Sequence, residues 1–182
     1  MSTTTNKPVK FVAVLTMIAG LLMIVAGGVT WGLVQSQLKD EHITVAAVTP
    51  ENPGRLAGKD VAGPFTAYAQ AAAIQHHALD GAQGKTYAQL GADLTALKGK
   101  LKASGATDAD MADNGQVKAL TATRTTTMNG SFLRASLFTS VVAFGIAALV
   151  MGLGLLFILI GYALTKVTKT VVTEPATVRA TD

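Results

Sequence analysis

Three histidines, His42, His76 and His77, are the side chains best suited to hold a metal or move a proton near neutral pH. Their spacing favours neither task. His76 and His77 are adjacent, so on a helix they point about 100° apart and do not grip one ion together. Zinc hydrolase helices place histidines at i and i+4, and non-haem iron sites join two histidines to a carboxylate. A triad of Glu41, His42 and His76 has the right residue types, but no spacing recommends it. There is no cysteine, which removes disulfides, thiolate ligands and a thiol nucleophile together. No G-x-S-x-G, P-loop or dinucleotide fingerprint occurs, and Gly152-x-Gly154 falls inside an apolar run where helix packing explains it. The expectation is therefore no catalytic residue, no cofactor and no metal site.

The elements that would have to position any site are dominated by two apolar runs. Residues 11–34 and 135–165 carry no charged side chain. About 20 helical residues cross a ~30 Å hydrocarbon core, and soluble helices rarely continue that far without a polar stripe, so both runs read as membrane spans. The first is too long for the apolar region of a signal peptide and no small-x-small site follows it directly, so we expect it to be retained. The second exceeds the bilayer. Ser131, Ser136, Thr139 and Ser140 crowd its beginning, so the expected membrane core is residues 141–162, with an outward stalk before it. Trp31 and Tyr162 fall near opposite faces, where interfacial aromatics collect. No span carries an ionisable side chain apart from Tyr162, which argues against a pump or transporter.

Charge sets the orientation. The chain has a formal net charge of +4, and the excess lies in the tails, because acidic and basic residues nearly cancel over residues 35–134. That is not the clustered basic face of a nucleic-acid binder. Lys7 and Lys10 precede the first span, and Lys166 and Lys169 follow the second. Cations close to a span favour the cytoplasmic side, so both termini are expected there and the long loop outside. The expected fold is a mainly α membrane protein, a two-transmembrane-helix hairpin in the plasma membrane with a helix-rich extracytoplasmic loop. Its parts are a cytoplasmic tail (1–10, with a Ser/Thr-rich start expected to be disordered), the first span (11–34), the loop (35–134), the second span with its extension (135–164) and a cytoplasmic tail (165–182).

Within the loop, residues 42–48 are rich in β-branched types and suit a short extended segment, after which Pro50, Pro53 and Gly54 break the chain. Gly63-Pro64 starts a helix that ends near Gly81. Thr86-x-x-Gln89 is a capping box. Tyr87, Leu90, Leu94, Leu97 and Leu101 then mark one helical face, and Lys98, Lys100 and Lys102 close it as a solvated helix end. Residues 103–115 read as an exposed linker. In the spans, Gly28-x-x-x-Gly32 and Ala148-x-x-x-Gly152, extended by Gly145, are small-residue patterns of the kind that let helices approach closely. Gly28, Gly32, Gly145, Ala148 and Gly152 are accordingly the expected helix-packing residues, against each other or against another membrane subunit.

Residues 57–71 (AGKDVAGPFTAYAQA) and 131–145 (SFLRASLFTSVVAFG), with the two spans, resemble an actinobacterial family of small two-span membrane proteins. Its members often carry the label aromatic ring-opening dioxygenase. One branch is a respiratory supercomplex-associated factor, an accessory subunit of the cytochrome bcc–aa3 assembly. The resemblance covers most of the chain, with residues 90–117 looking like an insertion relative to shorter members. It implies a non-catalytic accessory membrane subunit that supports assembly or stability, with subunits of a cytochrome bcc–aa3 supercomplex and the lipid bilayer as partners. The dioxygenase label finds no iron-ligand pattern among these residues. The alternative is a stand-alone actinobacterial envelope protein with a membrane-tethered binding module; an enzyme is the third reading.

Overall fold

The structure, a computed structural model, describes residues 7–170, with side chains through Lys166. Of the Ser/Thr-rich first eight residues, expected to be disordered, Lys7 and Pro8 begin α1 and the rest lie outside the described residues. Five helices follow in order: α1 (Lys7–Asp40), α2 (Pro64–Gly81), α3 (Tyr87–Ala103), α4 (Asp108–Asp113) and α5 (Gly115–Thr170). Helix dominates, and α1 and α5 are each long and apolar enough to cross a membrane. The chain divides into two compact units, Met1–Val34 with Ala143–Asp182, and Gln35–Val142.

In the first unit α1 and α5 pack antiparallel through a seam of small residues. A side chain placed on Gly20 would run into the Gly154 carbonyl oxygen, and one on Gly154 would stand 2.5 Å from the Gly20 carbonyl oxygen. Gly27 faces the Ala147 carbonyl in the same way, and Gly161 faces the Ala13 carbonyl, at 2.8 and 2.6 Å from the added carbon. The small residues therefore recur every seventh position, Ala13, Gly20 and Gly27 on one helix and Ala147, Gly154 and Gly161 on the other, paired in opposite order. A seven-residue repeat on two helices gives a left-handed supercoil, and the absence of side chains at the contact brings the backbones together. Met17, Ile24, Met151 and Ile158 fill the spaces between the small positions. At the Trp31 end the small residues give way to large ones. Trp31 and Phe144 meet edge to face with centroids 4.7 Å apart, and Phe144 is buried.

This seam differs from the expected one. A Cβ added at Gly28, Gly32, Gly145 or Gly152 would meet nothing within 4 Å, and Ala148 is exposed. The reason is geometric. A spacing of four runs diagonally around the helix and suits a right-handed crossing, whereas the hairpin follows the spacing of seven. The GxxxG-type residues lie on faces that the hairpin leaves open. Trp31, expected as an interfacial anchor, is half-buried against Phe144; Tyr162 is exposed, with the Lys166 ammonium 5.3 Å from its ring.

In the second unit, residues 43–48 lie extended beside residues 58–61. Thr44 and Asp60 form an antiparallel bridge, and the Val45 and Val61 N–H groups donate to the Lys59 and Ile43 carbonyls at 2.8 Å. The Ala46 N–H donates 2.7 Å to the buried Gln70 side-chain oxygen of α2, tying this segment to the helix. Pro64 opens α2, and the Thr66 hydroxyl oxygen accepts the Ala62 and Gly63 N–H groups just ahead of it. The Thr86 capping box holds as expected, with the Thr86 N–H donating to the Gln89 side chain and the Gln89 N–H to the Thr86 hydroxyl. Leu90 is the fully buried member of the α3 stripe, while Tyr87, Leu94, Leu97 and Leu101 are half-buried.

Two expectations for this unit are corrected. Residues 103–115 are not a plain linker, for they contain α4, started by a second capping pair. Asp110 Oδ2 accepts from the Thr107 hydroxyl at 2.6 Å and from the Thr107 N–H at 2.8 Å. These bonds, the hydroxyl first, hold its carboxyl below the usual carboxylate range. Their contribution is present above the unfolded-state pKa and fades as pH falls through the lower folded one. Second, the helix that contains the second apolar run begins at Gly115, far ahead of residue 135. Threonines 121–127 are poor helix formers, yet the hydroxyls of Thr121, Thr123, Thr125, Thr126 and Thr127 each donate to the carbonyl four residues back.

Candidate functional site: the open helix faces

His76 and His77 are exposed on α2 with ring centroids 6.0 Å apart. His77 Nε2 lies 3.2 Å from the Val48 carbonyl oxygen, a structural contact that holds the extended segment. His42 caps the end of α1 in a left-handed conformation, φ 51°. Among the described residues no three His, Asp or Glu side chains gather as a metal site. Lys98, Lys100 and Lys102 are exposed on α3.

What the structure offers instead is surface. In the most apolar stretch of each long helix only 17% is buried. The core helix of a soluble protein is mostly buried, and burial this low suggests a membrane location. Phe11, Leu22, Leu33, Leu149, Leu156 and Ile160 are all more than half exposed. They belong to a unit whose seam is already closed by its own small residues. Such a surface is stable only against acyl chains or another apolar protein. Within that apolar surface lie the two open small-residue stripes, Gly28 with Gly32 and Gly145 with Ala148 and Gly152.

The second unit adds close helix contacts built by glycine. Gly130 on α5 admits the Ala78 methyl of α2, 3.1 Å from where a Cβ would sit. Gly91 on α3 admits Arg124, whose Nε lies 3.2 Å from the corresponding position and whose guanidinium stacks 3.9 Å above the Tyr87 ring. On α5, Phe138 meets Tyr68 of α2 edge to face at 5.8 Å. Neither Gly91 nor Gly130 was singled out in sequence as a contact residue. The glycines lie in helical sequence, where isolated Gly costs about 1 kcal/mol against Ala, and that cost was the available signal. No family model, curated protein or solved structure matches this chain.

Proposed function

We propose that this chain is a non-catalytic accessory subunit that crosses the plasma membrane twice, keeps both termini in the cytoplasm and docks on subunits of a respiratory cytochrome bcc–aa3 supercomplex, supporting its assembly or stability. The observation that carries the reading is the second set of small residues. The hairpin closes on Gly20, Gly27, Gly154 and Gly161, so Gly28, Gly32, Gly145, Ala148 and Gly152 are left with open space before them. Lipid tails gain nothing from a glycine, whereas a neighbouring helix gains close dispersion contacts. The resemblance of residues 57–71 and 131–145 supplies the identity of the neighbour. The test is an affinity tag on this chain in mildly solubilised membranes. It is expected to retrieve a-, b- and c-type haem absorbance with the catalytic subunits in near-equal amounts. A colourless, monodisperse eluate under conditions that keep the supercomplex whole would overturn the reading. It would support the second one, a stand-alone envelope protein with a membrane-tethered binding module, which the independently cored unit Gln35–Val142 favours.

The topology has its own test. The chain lacks cysteine, so introduced thiols are clean probes. Ala103→Cys reacts with an impermeant maleimide in intact cells and Thr177→Cys only after lysis. The motivation is the cation bias at Lys7, Lys10, Lys166 and Lys169. The reverse labelling pattern refutes the orientation.

A further inference from the structure

The outer part of α5 carries two arginines, Arg124 and Arg134, whose Nε groups are fully buried and hydrogen-bond nothing. Both side chains are half-buried, and a guanidinium nitrogen shielded in this way normally has an acceptor or an aromatic face beside it. Arg124 meets this rule with its Cζ 3.9 Å over the centroid of the Tyr87 ring. Arg134 meets it only in part, with its guanidinium 5.2 Å from the Phe138 centroid and no carboxylate beside it. It lines a cavity of about 130 Å³ between α2, the start of α3 and α5. The polar lining is Gln75, Thr86, Tyr87, Thr127, Ser131 and Arg134, with no Asp or Glu among it.

The remaining chemistry of the cavity is that of a donor set. Ser131 and Thr127 give their hydroxyl protons to the Thr127 and Thr123 carbonyls. The Arg134 fork, the Tyr87 phenol and the Gln75 amide are left to donate. The start of α3 also forms part of this wall, with its Gln89 N–H already taken by the Thr86 hydroxyl. One uncompensated guanidinium matches one negative charge, and its planar fork matches two oxygens on one centre. At 130 Å³ the cavity is well below the 300–1,000 Å³ range of pockets that enclose a drug-sized molecule, so it admits a head group and not a large metabolite.

We propose that this cavity binds a singly charged phosphate group, with Arg134 as its principal ligand. Two sources share that chemistry, a phospholipid head group and a soluble phosphate. Arg134 directly precedes the second apolar run, which places a lipid head group within reach under the membrane reading. The soluble source does not need that reading, and neither source depends on the proposed partner.

The test uses the full chain in phosphate-free maltoside at fixed ionic strength, with thermal unfolding followed by circular dichroism. Dioleoylphosphatidylglycerol, dioleoylglycerol and sodium phosphate are titrated separately. The expected result is a rise in the unfolding midpoint with a phosphate compound and none with dioleoylglycerol. A response to phosphatidylglycerol alone identifies a lipid head group, and a response to sodium phosphate identifies a soluble one. Arg134→Gln is expected to weaken the response at least about tenfold, the loss of one charge-assisted contact. Gln75→Glu, at an exposed rim position, is expected to abolish it by supplying Arg134 with an internal carboxylate, and it decides the matter should Arg134→Gln fail to fold. The proposal is overturned if neither phosphate compound raises the midpoint, or if both variants respond as the wild type does.

Discussion

Gly154→Leu disrupts the hairpin, while Gly152→Leu, two residues away, leaves it standing. At Gly154 the first added carbon already stands 2.5 Å from the Gly20 carbonyl oxygen, 2.9 Å from Ile24 Cγ1 and 3.1 Å from the Ile24 nitrogen. Two of those obstacles are backbone and do not rotate aside. Overpacking a close-packed site costs about 1–3 kcal/mol, and a backbone-against-backbone seam puts the expected loss at about 3 kcal/mol or more. Gly152 has nothing within 4 Å of the same position, so the isolated chain is expected to change by no more than about 0.5 kcal/mol. The measurement is reversible unfolding of both variants in detergent. Equal losses would show that the seam is not where the small residues meet every seventh position. The pair also separates folding from docking. If the open stripe faces another subunit, Gly152→Leu lowers copurification while its own unfolding midpoint stays put.

Gln70→Leu is expected to release the segment before α2. The Gln70 side-chain oxygen takes the Ala46 N–H at 2.7 Å across 24 residues of chain, and Gln70 itself is only 9% exposed. Leucine fills much the same volume and offers no acceptor, so the Ala46 N–H is left in a part-buried position without a partner. The cost of such an orphaned donor is about 1–3 kcal/mol. The loss has an address as well as a size. Amide exchange at Ala46 is expected to accelerate strongly, together with Val45 and Val61 of the adjoining bridge, while the helical amides of α3 keep their protection. Unchanged exchange at Ala46 would show that the bridge to residues 58–61 holds the segment without Gln70.

The two predictions fall on residues that the sequence marked with different clarity. The apolar runs, the Pro64 start and the Thr86 capping box could be read directly, because each is a local rule: a length, a ring without an N–H, a reciprocal pair of hydrogen bonds. The seam was also written in the sequence, as small residues every seventh position in both apolar runs, but a spacing of four at Gly28–Gly32 and Ala148–Gly152 competes for attention on the same helices. Which face wins is settled by two helices at once, and a single helix read alone does not contain that information. α4 and the far end of α5 were hidden for another reason. Thr107 is capped by Asp110 where the usual signature has Glu or Gln, and the threonines after Val117 argue against helix until their hydroxyls are seen satisfied on the preceding turn. For the candidate site, the divergence of the His76 and His77 rings followed from their adjacency alone. Arg134 was visible only as a charge flanking a span, since its missing counter-ion is a property of three helices together.

The periodic seam has a further consequence, which is an ambiguity of phase. Sliding α1 by one repeat along α5, about 10.5 Å, again sets small residues opposite one another: Gly20 against Ala147 and Ala13 against Gly154 in one direction, Gly20 against Gly161 and Gly27 against Gly154 in the other. The small positions by themselves thus behave as the evenly cut teeth of a rack, with several settings of similar energy. The meeting of Trp31 with Phe144 breaks the repeat. Neither ring has a counterpart seven residues along, for Leu38 and Met151 stand there. The aromatic pair therefore acts as the stop that selects one setting, and the hairpin's alignment is decided at one end of a seam whose length contributes strength but no choice.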